Sequence, residues 1–313
     1  MKKIVWLLMM VMMPMVMMPM VANAAFSRNV DLEDEDELFC RLDQYIARRD
    51  EFSSKKEKKL IRMKKKLNIT SDKRERLNLY NQIYREYYTY RYDSAMAYAN
   101  RGLQLAEQLH DAYYIDLNKI NRAAVLSTGG FYSQAEDLLL SLNPEDISPK
   151  LKQYYYYTLT WVYNYWESFC ERSEFKEGML DKKRLYLAKT LEYVGNKQSA
   201  LYYYLSGELE YLLHRTDKKV LDWYQKALAA SSVDSRVHAS SAYCIARYYH
   251  DNEQMDLYEK YLVEAAISDQ VCPLKENLAL QELSTYLYNK DAKYAKRVSK
   301  YIYCSMEDAQ FYN

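Results

Sequence analysis

Glycine and proline are scarce, with 6 and 5 copies in 313 residues. A β-sandwich or barrel needs Gly, Asn and Pro at regular intervals to turn the chain between short strands, and no such punctuation occurs. Leu, Ala, Lys, Glu, Gln and Arg dominate instead, so the fold class read from composition is all-α. Charge of one sign is also lacking: 44 Lys and Arg stand against 43 Asp and Glu, a formal net charge of +1. No global field draws the chain to nucleic acid or to an anionic surface. The four histidines (His110, His214, His238, His250) share no i,i+4 pair, no HExxH and no cysteine at ligand spacing, which leaves no metal site to propose. The five cysteines (40, 170, 244, 272, 304) are too scattered for metal ligation and too few for a disulfide framework; they read as small buried hydrophobes, with one thiol at least left unpaired by the odd count. No G-x-S-x-G, P-loop or dinucleotide glycine pattern is present, and acidic pairs such as Glu208 and Glu210 read as ordinary helix charges. The chain is therefore expected not to be an enzyme, with no catalytic residue and no cofactor.

What is there begins with a segment for export. Lys2 and Lys3 precede an apolar run, Ile4–Val21, and Ala22-Asn23-Ala24 supplies a small-x-small cleavage site, so residues 1–24 read as a secretory signal peptide. The run is just long enough to span a bilayer, but Pro14 and Pro19 interrupt it, which favours cleavage over an anchor. Ala25 follows the cleavage site where a lipoprotein needs cysteine, so no lipid tether is expected. The expected location is the periplasm, with association to the inner membrane only if this segment is retained or a C-terminal half is missing.

Residues 25–37 carry an acidic linker (DLEDEDE), and residues 38–69 read as one long charged helix with Phe39, Leu42, Ile46, Leu60, Met63 and Leu67 at spacings of three and four. Residues 70–313 change character. Paired helices joined by short polar turns recur, and the second helices align at Ala95, Ala135, Leu185, Val220, Tyr258 and Ala295, at separations of 40, 50, 35, 38 and 37 residues. Similarity at such a period signals a solenoid, in which no unit buries its apolar face alone. The expected architecture is an α-solenoid of six helix pairs behind a leading helix.

The best-preserved unit, Ala123–Leu142 (AAVLSTGGFYSQAEDLLLSL), resembles a tetratricopeptide repeat: Ala123 and Ala135 let two helices cross closely, Gly130 serves the turn and Tyr132 fills the wedge to the next pair. Elsewhere the Trp and Gly of the repeat pattern are missing from their places in the first helices, so the repeats are degenerate. More narrowly, the export signal, the charged helix, the stretch Tyr84–Tyr98 (YREYYTYRYDSAMAY) and the array resemble the N-terminal periplasmic half of Bacteroidetes membrane-anchored tetratricopeptide regulators. That resemblance implies a sensing module followed by a membrane span, a coiled coil and a regulatory segment. Cys304–Asn313 ends in polar helix, so the output half is expected to be absent from this chain.

Tyrosine is the compositional anomaly, with 35 copies arriving in bursts. Aromatic faces stack on sugar rings while the hydroxyls stay available, and solenoids bind on their concave side. Helix spacing from Ala95 places Tyr80, Tyr84, Tyr87 and Tyr88 there in the first pair, and the same offset from Tyr258 places Tyr243, Arg247 and His250 there in the fifth. These seven residues are the expected ligand-binding set, an aromatic trough with one cationic end. The expected function is a non-catalytic exported interaction or sensor module for a peptide, protein or glycan. The alternative is a glycan-binding solute protein of a nutrient-uptake system.

Overall fold

The structure is a computed structural model that describes residues 34–170, 174–275 and 278–312. The expected signal peptide and most of the acidic linker lie outside the described residues. Among the described residues the chain forms fourteen α-helices and one 3-10 turn, with no strand. Two leading helices, α1 (Glu35–Ala47) and α2 (Arg49–Ile69), precede six antiparallel pairs. The pairs are α3 (Lys73–Tyr87) with α4 (Tyr92–Gln108), α5 (Ala112–Thr128) with α6 (Tyr132–Leu140), α7 (Pro149–Phe169) with α8 (Lys176–Tyr193), α9 (Ala200–Leu213) with α10 (Lys218–Ala229), α11 (Arg236–Asp251) with α12 (Met255–Val271), and α13 (Leu278–Lys290) with α14 (Ala295–Tyr312).

Polar side chains start the helices. Asp72, Asp111, Ser199 and Ser235 each accept a backbone N–H in the first turn of α3, α5, α9 and α11, satisfying one of the free donors there. Within the second unit Gly130 takes φ +83°, a left-handed turn that a side chain would strain. Ala123 and Ala135 are fully buried where α5 and α6 cross. Tyr132 stacks on Trp166 of α7, ring centroids 6.0 Å apart, which ties this pair to the next.

The repeat register holds on four second helices. Ala95, Ala135, Val220 and Tyr258 all sit in the first turn of theirs, buried against the partner helix. Leu185 and Ala295 are exposed, and the buried positions near them fall to Leu187 and Val298. The long segment before α8 shifts the phase of that helix by two residues, and a 3-10 turn (Ala292–Tyr294) leads into α14.

The single leading helix of the sequence reading is two helices, broken at Arg48 (φ −99°, ψ 4°), whose N–H returns to the Tyr45 and Ile46 carbonyls. Two packing demands bend the chain there. In α1 the stripe Leu38, Phe39, Leu42 and Ile46 packs into the core of the last pairs, with Phe39 5.9 Å from Tyr294. In α2 Leu60 and Leu67 pack on α3 and α4 instead. One straight helix would serve only one of these surfaces. The basic run of α2 is spent on neighbours, with Lys59 on Glu86 at 2.6 Å and the ammonium groups of Lys56 and Lys64 over the rings of Tyr90 and Tyr87.

The ends of the array consequently meet. Arg41 of α1 bonds Glu264 of α12 at 2.9 Å and Lys300 of α14 bonds Asp43 of α1 at 2.8 Å. The Lys275 N–H donates to the Thr89 carbonyl at 3.1 Å, and the Tyr312 hydroxyl reaches the Tyr88 carbonyl and Thr128 Oγ1. The last helices thus close on the first pair.

Candidate functional site

Four successive first helices line one cavity of about 280 Å³ on the inner side of the curve. α7 supplies Trp161, Asn164, Tyr165 and Glu167; α9 supplies Tyr204 and Glu208; α11 supplies Arg236, Tyr243, Cys244 and Arg247; α13 closes the wall with Leu278 and Ala279. Two second helices reach in with Lys183 of α8 and Asp269 of α12. The volume lies near the lower bound of small-molecule pockets, about 300 Å³. Aromatic walls with a few convergent polar groups are the usual composition of such sites.

Glu208 organises the floor. Gly207 beside it has no side chain, and a Cβ there would sit 2.6 Å from the Tyr224 ring of α10, so the glycine admits that ring against α9. The Tyr224 hydroxyl then donates to Glu208 Oε1 at 2.6 Å, joined by Arg247 Nη2 at 2.7 Å and the Cys244 thiol at 3.2 Å. Burial opposes the charge on Glu208, but the Arg247 guanidinium, the Lys183 ammonium and the two neutral donors hold its carboxyl down at about 2. Burial and the same carboxylate push the Cys244 thiol well above its ordinary value, which disfavours the thiolate. Arg247 is fixed from the other side by the Tyr211 ring, 3.8 Å from the guanidinium carbon. Tyr243 donates its hydroxyl to Glu282, which also accepts from Tyr258 at 2.8 Å.

The structure separates the seven residues expected to form one trough. Tyr243 and Arg247 stand on the cavity wall. His250 does not: it lies at the end of α11, more than half exposed, 3.7 Å from Asp251 and edge-on to Tyr258. Tyr80, Tyr84 and Tyr87 are core residues, which corrects their reading as an open surface. Tyr80 and Tyr87 pack on Tyr98 of α4. Tyr84, 2% exposed, does point toward the inner side of the curve, but the curve is tight there: its hydroxyl donates to the Asn121 carbonyl of α5 and meets the Tyr154 hydroxyl of α7 at 3.2 Å. Tyr88 is half-buried beneath Arg236, whose guanidinium lies 5.5 Å from its ring and 5.8 Å from Trp161. Closure of the array therefore fills the inner face of the first pair and leaves the open part at the third to fifth pairs.

Trp161, Tyr165, Lys183 and Tyr204 were not singled out from sequence, and Glu208 was read there as an ordinary helix charge. Two of them carried a readable signal. Glu208 follows Tyr204 by four and precedes Tyr211 by three, and Lys183 precedes Leu187 by four, so each charge stands on the buried stripe of its helix.

A second concavity of about 480 Å³ runs between α13 and α14, lined by Gln281, Ser284, Thr285, Tyr288, Ile302, Ser305, Met306 and Ala309. It is larger but shallow and open, with no charged group in its lining. No cluster able to hold a metal occurs among the described residues, and no helix there is long and apolar enough to cross a membrane. Residues 46–313 match the family model described as the SusR N-terminal TPR domain. No curated protein matches the chain.

Proposed function

The chain belongs to the SusR N-terminal TPR domain family, and from that premise we propose that it is a non-catalytic interaction module that senses a small ligand in the inner cavity. The observation that carries this reading is the convergence of Trp161, Tyr165, Tyr204 and Tyr243 with Lys183, Glu208 and Arg247 from four different helices. Aromatic faces would take the apolar face of a sugar-sized ring, and the buried polar groups would fix its orientation. In this reading the chain acts outside the cytoplasm as the sensing part of a regulator. Ligand drawn between α7, α9 and α11 would bias the tilt of these helices, and the contacts of α1 and α14 with the far end of the array would carry that bias outward. The same cavity serves the alternative of a glycan-binding uptake protein. The groove between α13 and α14 favours a protein contact for output, because Tyr288 (76% exposed) and Met306 (57%) line it.

A glycan array probed with the exported chain and with its Trp161→Ala and Tyr243→Ala variants tests the reading. Binding by the wild type that both variants lose while melting like the parent supports it. Wild-type binding that both variants retain places the ligand elsewhere and overturns it.

A further inference from the structure

Lys183 enters the cavity wall from α8 with only 6% of the residue exposed. No hydrogen bond or ion pair reaches its ammonium from the described residues, and burial pushes its pKa below the ordinary value against the pull of Glu208. A buried ammonium with no contact partner is costly to keep, since desolvation penalises its charge and only the field of Glu208 and more distant groups offsets it. No carboxylate of the wall contacts it directly. Glu167 is paired with Lys176 at 3.3 Å, Glu208 spends Oε1 on Tyr224, Cys244 and Arg247, and Asp269 has partners of its own. Among the residues that line the cavity three cations (Lys183, Arg236 and Arg247) stand with three carboxylates (Glu167, Glu208 and Asp269), and Lys183 is the cation that no carboxylate contacts directly. The other unfilled groups have the same polarity: Trp161 Nε1 and Arg247 Nε are buried donors without an acceptor.

We propose that the cavity takes a small monoanionic ligand, a carboxylate carried on a ring with an apolar face as in a uronic acid, with Lys183 as the counter-ion of the carboxylate. The inference rests on the cavity being the ligand site. Trp161 and Tyr243 would bracket the ring, Trp161 Nε1 would meet an oxygen acceptor, and Glu208 Oε2, which no donor occupies, would accept a ring hydroxyl. One ammonium without a contact partner matches one carboxylate; a phosphate dianion would bring more charge than that ammonium answers.

Isothermal titration of the exported chain with galacturonate, with the matched neutral galactose and with galactose 6-phosphate tests this. The expected result is preference for the uronate by roughly 30-fold or more, the loss expected when one partner of a buried charge pair is absent. Lys183→Met should erase that preference and Lys183→Arg should retain it. Folding is checked by melting, where Lys183→Met should unfold close to the wild type, because relief of the ammonium's desolvation offsets the loss of its field at Glu208. Equal affinity for the neutral sugar, tighter binding of the phosphate, or a uronate preference that survives Lys183→Met would each overturn the proposal. If the neutral sugar binds and Trp161→Ala abolishes that binding, the cavity remains the ligand site and only its preference for an anion falls. Absence of binding by all three probes also overturns the anionic ligand, while the cavity itself then answers to the array experiment above.

Discussion

Replacing Glu208 with Gln leaves the Arg247 guanidinium inside the array with no carboxylate beside it. The wild-type carboxylate holds three donors on one oxygen and is 7% exposed, so its loss is felt in a low dielectric. Two lines of reasoning give the same magnitude. Removing one partner of a buried ion pair costs about 3–5 kcal/mol, and Arg247 keeps some contact with solvent, which points to the lower end. A carboxyl held at about 2 against an ordinary 4.5 contributes about 3 kcal/mol at neutral pH. For a chain of this size that corresponds to a fall in Tm of about 6–10 °C. The sign with pH follows from the lowered value: the unfolded state binds the proton more readily, so the contribution is fully present above about 4.5 and is lost as pH falls through about 2. Thermal unfolding of wild type and Glu208→Gln, followed by far-ultraviolet circular dichroism from neutral to acid pH, should show a gap that narrows toward pH 2. Equal Tm values at neutral pH, or a gap that persists unchanged at the acid end, would refute the reasoning.

Other expectations follow from the packing. Tyr84→Ala with Tyr88→Ala should destabilise the array, by about 3–5 kcal/mol for Tyr84 alone, seen as early melting; an unchanged Tm would restore these residues to a surface. Tyr84→Phe should cost only about 1 kcal/mol in urea unfolding, because it removes the hydroxyl bridging the Asn121 carbonyl and Tyr154 and keeps the ring. Gly207→Ala should cost about 1–3 kcal/mol by driving a methyl into the Tyr224 ring; an alanine variant as stable as the parent would show that this seam is loosely packed. Phe39→Ala should speed proteolysis within α1 and lower Tm, since the ring is fully buried against the last pairs; resistance equal to wild type would mean that α1 does not close the array.

Much of the architecture was legible because it is local. Helical period, capping residues and the small residues at Ala123 and Ala135 depend on neighbours a few positions away, and Gly130 signals its turn by itself. The phase of the tyrosines was not legible. Tyr84 does point inward, but whether an inward residue meets solvent depends on the radius of the curve, which is set by contacts such as Tyr84 with Tyr154 and Tyr312 with Thr128 across long stretches of chain. The break at Arg48 has the same origin, since α1 and α2 answer to opposite ends of the array. The cavity draws Trp161, Lys183, Glu208 and Tyr243 from four helices, and no linear spacing announces that meeting. A Glu and a Lys on the buried stripes of their helices are a cost that a solvated helix has no reason to bear, but Glu208 was read as an ordinary helix charge and Lys183 passed over.

The most direct measurement is hydrogen–deuterium exchange of the exported chain with and without the best-binding glycan from the array. The account predicts slower exchange in the inner-face segments 161–168, 204–208 and 236–247, which line the cavity. Protection confined to 281–309, around the groove between α13 and α14, would contradict it and make that outer surface the place where the ligand is read.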